Sequence, residues 1–346
     1  MNGEQHLPSL LVLGGTGFVG RAVAEEGAAR GWRVTVLNRG SASAPPGVNA
    51  LRGDRTAASR GGLAALESGR WDLVVDTWSE APTAVRDAAR LLAGRARHFT
   101  YVSSRSVYAW PPPAGQAEDG PLVGGSPDAP ARAYAEDKRG GELAALGAFG
   151  EDRTLLVRAG LILGPHEDVG RLPWWLTRLA RGGPVLAPGP RELPLQYVDA
   201  RDLARWTLDA AARGLAGPYD LVSPSGHATM GELLDACAEV TGAEAELRWT
   251  EPEVIAAAGV QGWTELPVWT PPGPLHDALH RSDVSRALAA GLRCRPVAAT
   301  VADTWAWMRA EGARPAAHPA RSPVGLPPET EAAILGGADP RVPETD

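Results

Sequence analysis

The 346-residue chain predicts an α/β fold, a doubly wound parallel sheet with a smaller C-terminal lobe. Three observations carry this. Short apolar runs of strand type alternate with helical stretches in the first half, the first run leads straight into a glycine-rich turn, and after Pro165 the chain changes character toward tryptophan-rich segments. The predicted organisation is a sheet domain over 1–165 with 192–225, a second lobe over 166–191 and 226–312, and a Pro-rich tail from 313 to 346.

The first strand reads Ser9-Leu10-Leu11-Val12-Leu13. It enters Gly14-Gly15-Thr16-Gly17-Phe18-Val19-Gly20 and a helix from Phe18 to about Arg30, closed by Gly31. Strand, glycine turn and helix in that order form a dinucleotide fingerprint. Gly15 and Gly17 let the backbone turn tightly and approach a pyrophosphate, the helix N-terminus presents oriented N–H groups, and Gly20 lets helix and strand pack closely.

The next strand, Arg33 to Leu37, ends at Asn38-Arg39-Gly40, without the acid that usually accepts from the ribose of NAD. Arg39 offers a cation for a 2′-phosphate and Ser41 or Ser43 a hydroxyl, so NADP(H) is preferred and NAD(H) stays open. A third short strand precedes Asp54, which is placed to accept from an adenine amino group or to act as a turn carboxylate. Asp72–Asp76 and His98–Val102 read as the fourth and fifth strands, with a helix from about Pro82 to Ala93 between them. Thr77 and Trp78 follow the fourth strand, where a tryptophan narrows the site or stacks near the cofactor. Ser103 and Ser104 stand at the carboxyl end of the fifth strand, where such sheets bind ligands.

Lys138 is the sole lysine among 34 basic residues, and it follows Tyr134 by four positions. On a helix these two share a face. A nearby ammonium favours the phenolate and lowers the tyrosine pKa from about 10 toward a range useful for proton exchange at neutral pH. A planar guanidinium would not replace a compact donor that reaches ribose hydroxyls and a phenol together.

Together the glycine turn, Val102-Ser103-Ser104-Arg105-Ser106-Val107-Tyr108, Tyr134-x-x-x-Lys138, Arg158-Ala159-Gly160-Leu161-Ile162-Leu163-Gly164-Pro165 and Tyr197-Val198-Asp199-Ala200-Arg201-Asp202 resemble the extended short-chain dehydrogenase/reductase superfamily. That superfamily includes the NAD-dependent epimerase/dehydratase family. The resemblance spans about Leu10 to Trp307. It implies a Rossmann domain, a catalytic set of Ser104, Tyr134 and Lys138, a cofactor contact at Leu161, and a homodimer through the two helices flanking the fourth and fifth strands. Ser104 is chosen over Ser103 because the family serine precedes the Val-Tyr pair by three residues.

Two departures matter. Dehydratases of the family carry an Asp-Glu pair after the catalytic hydroxyl, and Arg105-Ser106 stands there, leaving no carboxylate at either position. The Asn38-Arg39-Gly40 turn and the Gly-Asp-Arg step resemble the atypical branch with chloroplast stem-loop RNA-binding proteins, some of which have lost catalysis.

A formal charge of −7 argues against an extended nucleic-acid surface. Two cysteines fit a reducing cytoplasm, no apolar run approaches a membrane span, no export signal is evident, and seven scattered histidines predict no metal. The Gly/Pro-rich passage from Trp110 to Pro130 reads as a long loop, a lid over the substrate or an insertion without a role. Beyond Pro165, Trp174 and Trp263 are candidates for an aromatic wall and Arg171, Arg191 and Gln196 for polar contacts to a carboxylate, phosphate or carbonyl, with Arg105, next to Ser104, a further substrate candidate. Asp199 and Asp202 are expected to join the lobes. A short helix is expected from Pro328 to Leu335, docked on the body.

These features predict an NADP(H)-dependent ketone or aldehyde reductase acting on a small carbonyl or alcohol substrate, organic or glycosyl. The rival readings are a sugar-nucleotide epimerase that retains NAD, and a non-catalytic NADP-sensing or RNA-binding module.

Overall fold

The computed structural model describes residues 7–40, 42–57, 61–311 and 324–336. Ser41, a candidate hydroxyl for the cofactor, lies outside these residues.

Seven parallel strands form the central sheet: β1 (Ser9–Leu13), β2 (Arg33–Asn38), β3 (Asn49–Arg52), β4 (Trp71–Asp76), β5 (Ala96–Ser104), β6 (Thr154–Ala159) and β7 (Gly217–Leu221). Their spatial order is β7-β6-β5-β4-β1-β2-β3, so the order reverses at β1 and opens a crevice at the carboxyl ends of β1 and β4. Register places Leu10–Leu13 between Val34–Leu37 and Leu73–Asp76. Leu10, Leu11, Val12 and Leu13 are all fully buried, which is why β1 reads as an unbroken apolar run rather than an alternating one. Each such side chain removed from water contributes about 1.5–3 kcal/mol.

Helices α1 (Phe18–Ala29), α2 (Pro82–Leu92), α3 (Tyr134–Phe149), α4 (Arg171–Leu179), α5 (Ala200–Ala212) and α6 (Met230–Thr241) follow in chain order. One face of the sheet packs Val74, Phe99 and Tyr101 against Val85, Leu92 and Ala145 of α2 and α3. The other packs Val12 and Val75 against Val23 of α1 and Ala204 and Leu208 of α5.

A separate apolar cluster joins α4 and α6 through Leu172, Trp175, Leu176, Leu233 and Leu234, with Trp269 and Val301. The parallel pair Gly183–Pro188 and Ala245–Thr250 lies in the same half. Asp199 caps α5 by accepting from the Arg201 N–H at 2.8 Å, and buried Asp202 pairs with Arg295 at 2.8 Å. The helix Pro328–Leu335 docks on this half: Glu331 accepts from Arg178 Nε at 2.6 Å and from the Leu186 N–H at 3.0 Å.

The passage after Trp110 is anchored rather than hinged over the cleft. The Gly115 N–H donates to Arg281 O (2.6 Å), Asp283 N–H to Gln116 O (3.1 Å), Asp220 N–H to the Glu118 carboxylate (2.9 Å), and Val123 N–H to Val107 O (2.8 Å). Further along, Asp128 pairs with Arg86 of α2, and the Ser126 carbonyl lies over Gly140 of α3. The chain's own loop therefore lies on helices expected to form a dimer face, and among the described residues neither helix interior exposes a large apolar side chain. No described helix is long and apolar enough to cross a membrane.

Candidate active site

A cleft of about 960 Å³ runs along the carboxyl ends of β1, β4, β5 and β6. Its floor is the glycine turn, where Gly14, Gly17, Phe18, Val19 and Gly20 face it. Gly14 has φ 96°, a region closed to most side chains, and a Cβ on Gly20 would lie 2.3 Å from the Gly14 carbonyl oxygen. A Cβ on Gly17 would meet no described atom within 4 Å, so it would occupy the open cradle itself. This main-chain concavity at the head of α1 fits a dinucleotide pyrophosphate. Gly15 has a different role from the expected approach to phosphate: a Cβ there would strike Val36 at 2.4 Å, so it permits strand packing.

The side chains with reactive potential meet on the next wall. β5 ends at Ser104, whose Oγ accepts from the Ser106 N–H at 3.1 Å and caps the short turn Arg105–Val107. Ser103 also lines the cleft. Its Oγ is buried and has no hydrogen-bond partner among the described residues. Tyr134 is the first residue of α3 and is 52% exposed, with its side chain at the cleft. The helix start is fixed by buried Asp137, whose carboxylate accepts twice from the Arg132 N–H at 3.0 and 3.1 Å.

One turn on, Lys138 is 3% exposed and donates to Trp78 O at 2.7 Å and Val102 O at 2.6 Å. Its Nζ is 6.0 Å from the Tyr134 ring centroid and 4.9 Å from that of Tyr101. Burial pushes the ammonium down to about 7, against the opposing pull of Asp76 and Glu142. The ammonium is thus gripped by two main-chain carbonyls as well as placed near the phenol.

Buried charge holds this wall in place. Glu142, one turn beyond Lys138, pairs with Arg158 of β6 at 2.9 Å, and Arg158 also donates to the Tyr108 hydroxyl at 3.1 Å. The Tyr108 hydroxyl donates to Asp220 at 2.6 Å. Arg55 binds Asp76 through two bonds of 2.7 Å and lies 5.1 Å from the Trp78 ring. Trp78 does not line the cleft. Its Nε1 donates to Ala81 O at 3.0 Å, and its carbonyl rather than its ring serves the site.

The cleft is also lined by Asp168, Arg171, Gln261, Trp263, Leu275 and Leu279, by Trp110, and by Ser106 beside Ser104. Arg171 lies 4.9 Å from the Trp263 ring centroid. Trp263 holds φ 69°, its N–H donates to Trp269 O at 2.6 Å, and the carbonyl of neighbouring Thr264 accepts from the Gly325 N–H at 2.8 Å. Glu167 orients the start of α4 by accepting from the N–H groups of Arg171 (2.7 Å) and Leu172 (3.2 Å). Burial raises this carboxyl to about 7, against those donors and the Arg171 charge.

Several residues singled out for substrate stand elsewhere. Gln196 is fully buried and bonded to Ser223 and Ser282, a strut within the core. Arg191 lies over Trp249 and pairs with Asp235 outside the cleft. Trp174 packs edge-on against Trp175 and beneath Gly325. Arg105 borders the cleft, but its guanidinium is directed to Asp220 (3.3 Å) and the carbonyls of Ala278 and Leu279.

Among cofactor candidates, Thr77 and Leu161 line the cleft, whereas half-buried Thr16 does not. Asp54 is buried rather than solvated, does not line the cleft, and acts as a turn carboxylate that accepts from the N–H and hydroxyl of Thr56. Asn38 bonds the Gly40 N–H at 2.8 Å, and Arg39 is exposed at the end of β2. Sequence reasoning missed Trp110, Ser79, Gln261, Leu275 and Leu279, which only the fold brings to the cleft. The Arg171–Trp263 pairing had no sequence signal either.

The sequence profile of the NAD dependent epimerase/dehydratase family matches residues 10–220, more than half the chain. The chain belongs to that family. Among solved structures, WbmH of Bordetella bronchiseptica in complex with NAD+ is similar over 89% of this chain and 100% of its own, with TM-score 0.63 and 20% identity. WbmG from the same organism, in complex with NAD and UDP, is similar over 93% of this chain and 100% of its own, with TM-score 0.64 and 17% identity. The Thermus thermophilus UDP-glucose 4-epimerase complex with NAD gives TM-score 0.60 at 20% identity, covering 87% of this chain and 99% of its own. At these identities the likeness is one of fold. A search of curated proteins finds no match. Family membership makes a nicotinamide dinucleotide the cofactor class and corrects the emphasis on an NADP(H)-dependent reductase: the family is one of NAD-dependent epimerases and dehydratases.

Proposed function

We propose that the chain is an epimerase, oxidising one carbinol carbon of a glycosyl substrate and reducing it again from the opposite face. The observation that carries this is the placement of Tyr134, Lys138 and Ser104 on one wall of a cleft whose floor is the glycine turn. Membership of the family and its structural relatives support the net reaction. When bound, the dinucleotide supplies the hydride acceptor and then the donor.

Gly14, Gly17 and Gly20 would hold its pyrophosphate, and Thr77, Leu161 and Lys138 its nicotinamide half. Ser104 donates a hydrogen bond to the substrate oxygen. Tyr134 takes the hydroxyl proton as the carbon's C–H pair departs as hydride, and it returns the proton when the carbonyl is reduced, so no oxidant is consumed. Lys138 in its ammonium form lowers the cost of the phenolate. With Arg105 and Ser106 in place of an acidic pair, water elimination lacks its acid–base groups there.

A ketone or aldehyde reductase with exchangeable NADPH is the second reading, favoured by Arg39 at a position where an acid would select NAD. The experiment is NMR of UDP-glucose and UDP-galactose incubated with purified protein without added dinucleotide, beside Tyr134→Phe. Epimerisation that falls about 10²- to 10⁴-fold in the variant, with dinucleotide affinity within about twofold, supports the reading. Net NADPH consumption on carbonyl compounds without epimerisation moves it to the reductase. A fully active Tyr134→Phe protein refutes both.

A further inference from the structure

β4 ends on an acid that the fold buries completely. Asp76 accepts two hydrogen bonds of 2.7 Å from the guanidinium of Arg55, whose buried side chain also donates to Ala84 O at 2.8 Å. The same carboxylate accepts from the Trp78 N–H at 3.0 Å. Between them Thr77 is tied to Leu13 O through its N–H (3.3 Å) and its hydroxyl (3.1 Å). The turn Asp76-Thr77-Trp78 is thereby fixed at each residue, and its last carbonyl is one of the two that grip Lys138. Trp78 O accepts from Lys138 Nζ at 2.7 Å and from the Tyr101 hydroxyl at 3.0 Å. An ammonium has three donors. With Val102 O at 2.6 Å, two of them end on main chain, and the third is left for the cleft that Lys138 lines.

The titratable groups around this ammonium come from three elements: Asp76 from β4, Tyr101 from β5, and Tyr134 and Glu142 from α3. Burial holds the Tyr101 phenol neutral, well above its usual range, so it donates a hydrogen bond and adds no charge. Glu142 is divided between Arg139 and Arg158. Asp76 is joined to Lys138 through one residue, since the carboxylate takes the N–H of Trp78 and the ammonium takes its C=O. A buried ion pair adds little net stability, because the cost of desolvating two charges offsets their attraction. What Arg55 and Asp76 add here is placement.

We infer that Asp76, fixed by Arg55, is the positioning residue for Lys138: it sets the turn whose carbonyl grips the ammonium, and it supplies negative charge on the buried side of that ammonium. The inference rests on the reading that Tyr134 exchanges the substrate proton with Lys138 beside it.

The chain has a single lysine, so protein labelled with carbon-13 at lysine Cε gives one side-chain signal, and its pH titration belongs to Lys138. In wild type it should titrate well below the ordinary lysine value of about 10.4; a signal at the ordinary value overturns the buried grip outright. Asp76→Asn keeps an acceptor for the Trp78 N–H but removes the charge, and should move the titration down by about one pH unit or more. Arg55→Gln leaves the carboxylate to Lys138 and should move it up. Arg55→Gln/Asp76→Asn replaces both charges by amides, avoids an unpaired buried charge, and should again move it down. Each folded variant decides alone: a titration held at the wild-type value, or moved with the opposite sign, overturns the inference. In the epimerisation assay at saturating substrate, the acid limb of kcat in the double variant should move up by about one pH unit, because Tyr134 has lost the ammonium that favours its phenolate. A shifted lysine signal with an unmoved limb overturns the positioning role. The lysine signal does not depend on turnover, so a fully active Tyr134→Phe protein sinks the catalytic reading separately, whereas an unmoved titration sinks the role of Asp76 and leaves Tyr134 as the base.

Discussion

Along the wall formed by Gly14, Gly17 and Gly20, what faces the cleft is main chain, held by the register of β1 between β2 and β4. Along a second wall, Arg171 arrives from α4, Trp263 from a strained turn, and Leu275 and Leu279 from the short helix Pro274–His280. The first wall depends on residues adjacent in sequence, and the second on contacts among distant ones. A dinucleotide pyrophosphate is recognised by backbone donors, which any chain forming that turn supplies. A substrate is recognised by side-chain chemistry that the fold must assemble piece by piece.

The contrast breaks first where the catalytic wall relies on long-range charge. Glu142 is a fully buried residue of α3, held by Arg158 from β6 and by partly exposed Arg139. Arg158→Met fills most of the space and removes the fork, leaving the buried carboxylate with Arg139 as its ion-pair partner. Equilibrium denaturation should show a loss of about 3–5 kcal/mol. Turnover should fall with it, since Lys138 is one turn from Glu142. A loss below about 1 kcal/mol would mean that α3 is placed by the sheet and glycine packing alone.

This also marks what was legible beforehand. The strands β1, β2, β4 and β5, the helices α1 and α2, the glycine turn and the Tyr134–Lys138 spacing all follow from local patterns, apolar runs between turn residues or a shared helical face. Arg158 could be read only as part of a motif, because its partner is on another element. The same holds for Asp76 with Arg55, and for Asp137, which looks like an ordinary first-turn acid until it is seen holding the Arg132 N–H. Gln196 and Arg191 misled for the complementary reason: a polar residue in the right lobe carries no sign of which way it points.

The substrate wall has its own buried carboxyl, and pH tests it. Glu167 is raised from its ordinary 4.5 to about 7 by burial. The native state therefore binds the proton more tightly than the unfolded chain. This contribution is fully present below about pH 4.5 and lost as pH rises through about 7. Glu167→Gln lacks the titration, so its stability relative to wild type should improve between pH 5 and pH 8, by up to about 3 kcal/mol. Denaturant midpoints at the two pH values read this directly. A constant difference would show that the N–H groups of Arg171 and Leu172 keep the carboxylate ionised throughout.

The smallest expected effect separates two arginines that sequence alone treats alike. Arg171 lines the cleft over Trp263, whereas the Arg191 side chain is 46% exposed, outside the cleft, and paired with a similarly exposed Asp235. Exposed pairs are worth about 0–1 kcal/mol because solvent screens them and two long side chains must be held still. Arg191→Ala should change stability by less than about 1 kcal/mol and leave kcat, KM and dinucleotide affinity as in wild type. Arg171→Ala, in the same assay, should raise KM for an anionic substrate by about tenfold or more, the loss of one charged hydrogen bond, with dinucleotide affinity preserved. An Arg191→Ala enzyme with the raised KM would place the substrate across the face of Trp249 and move the second wall of the cleft there.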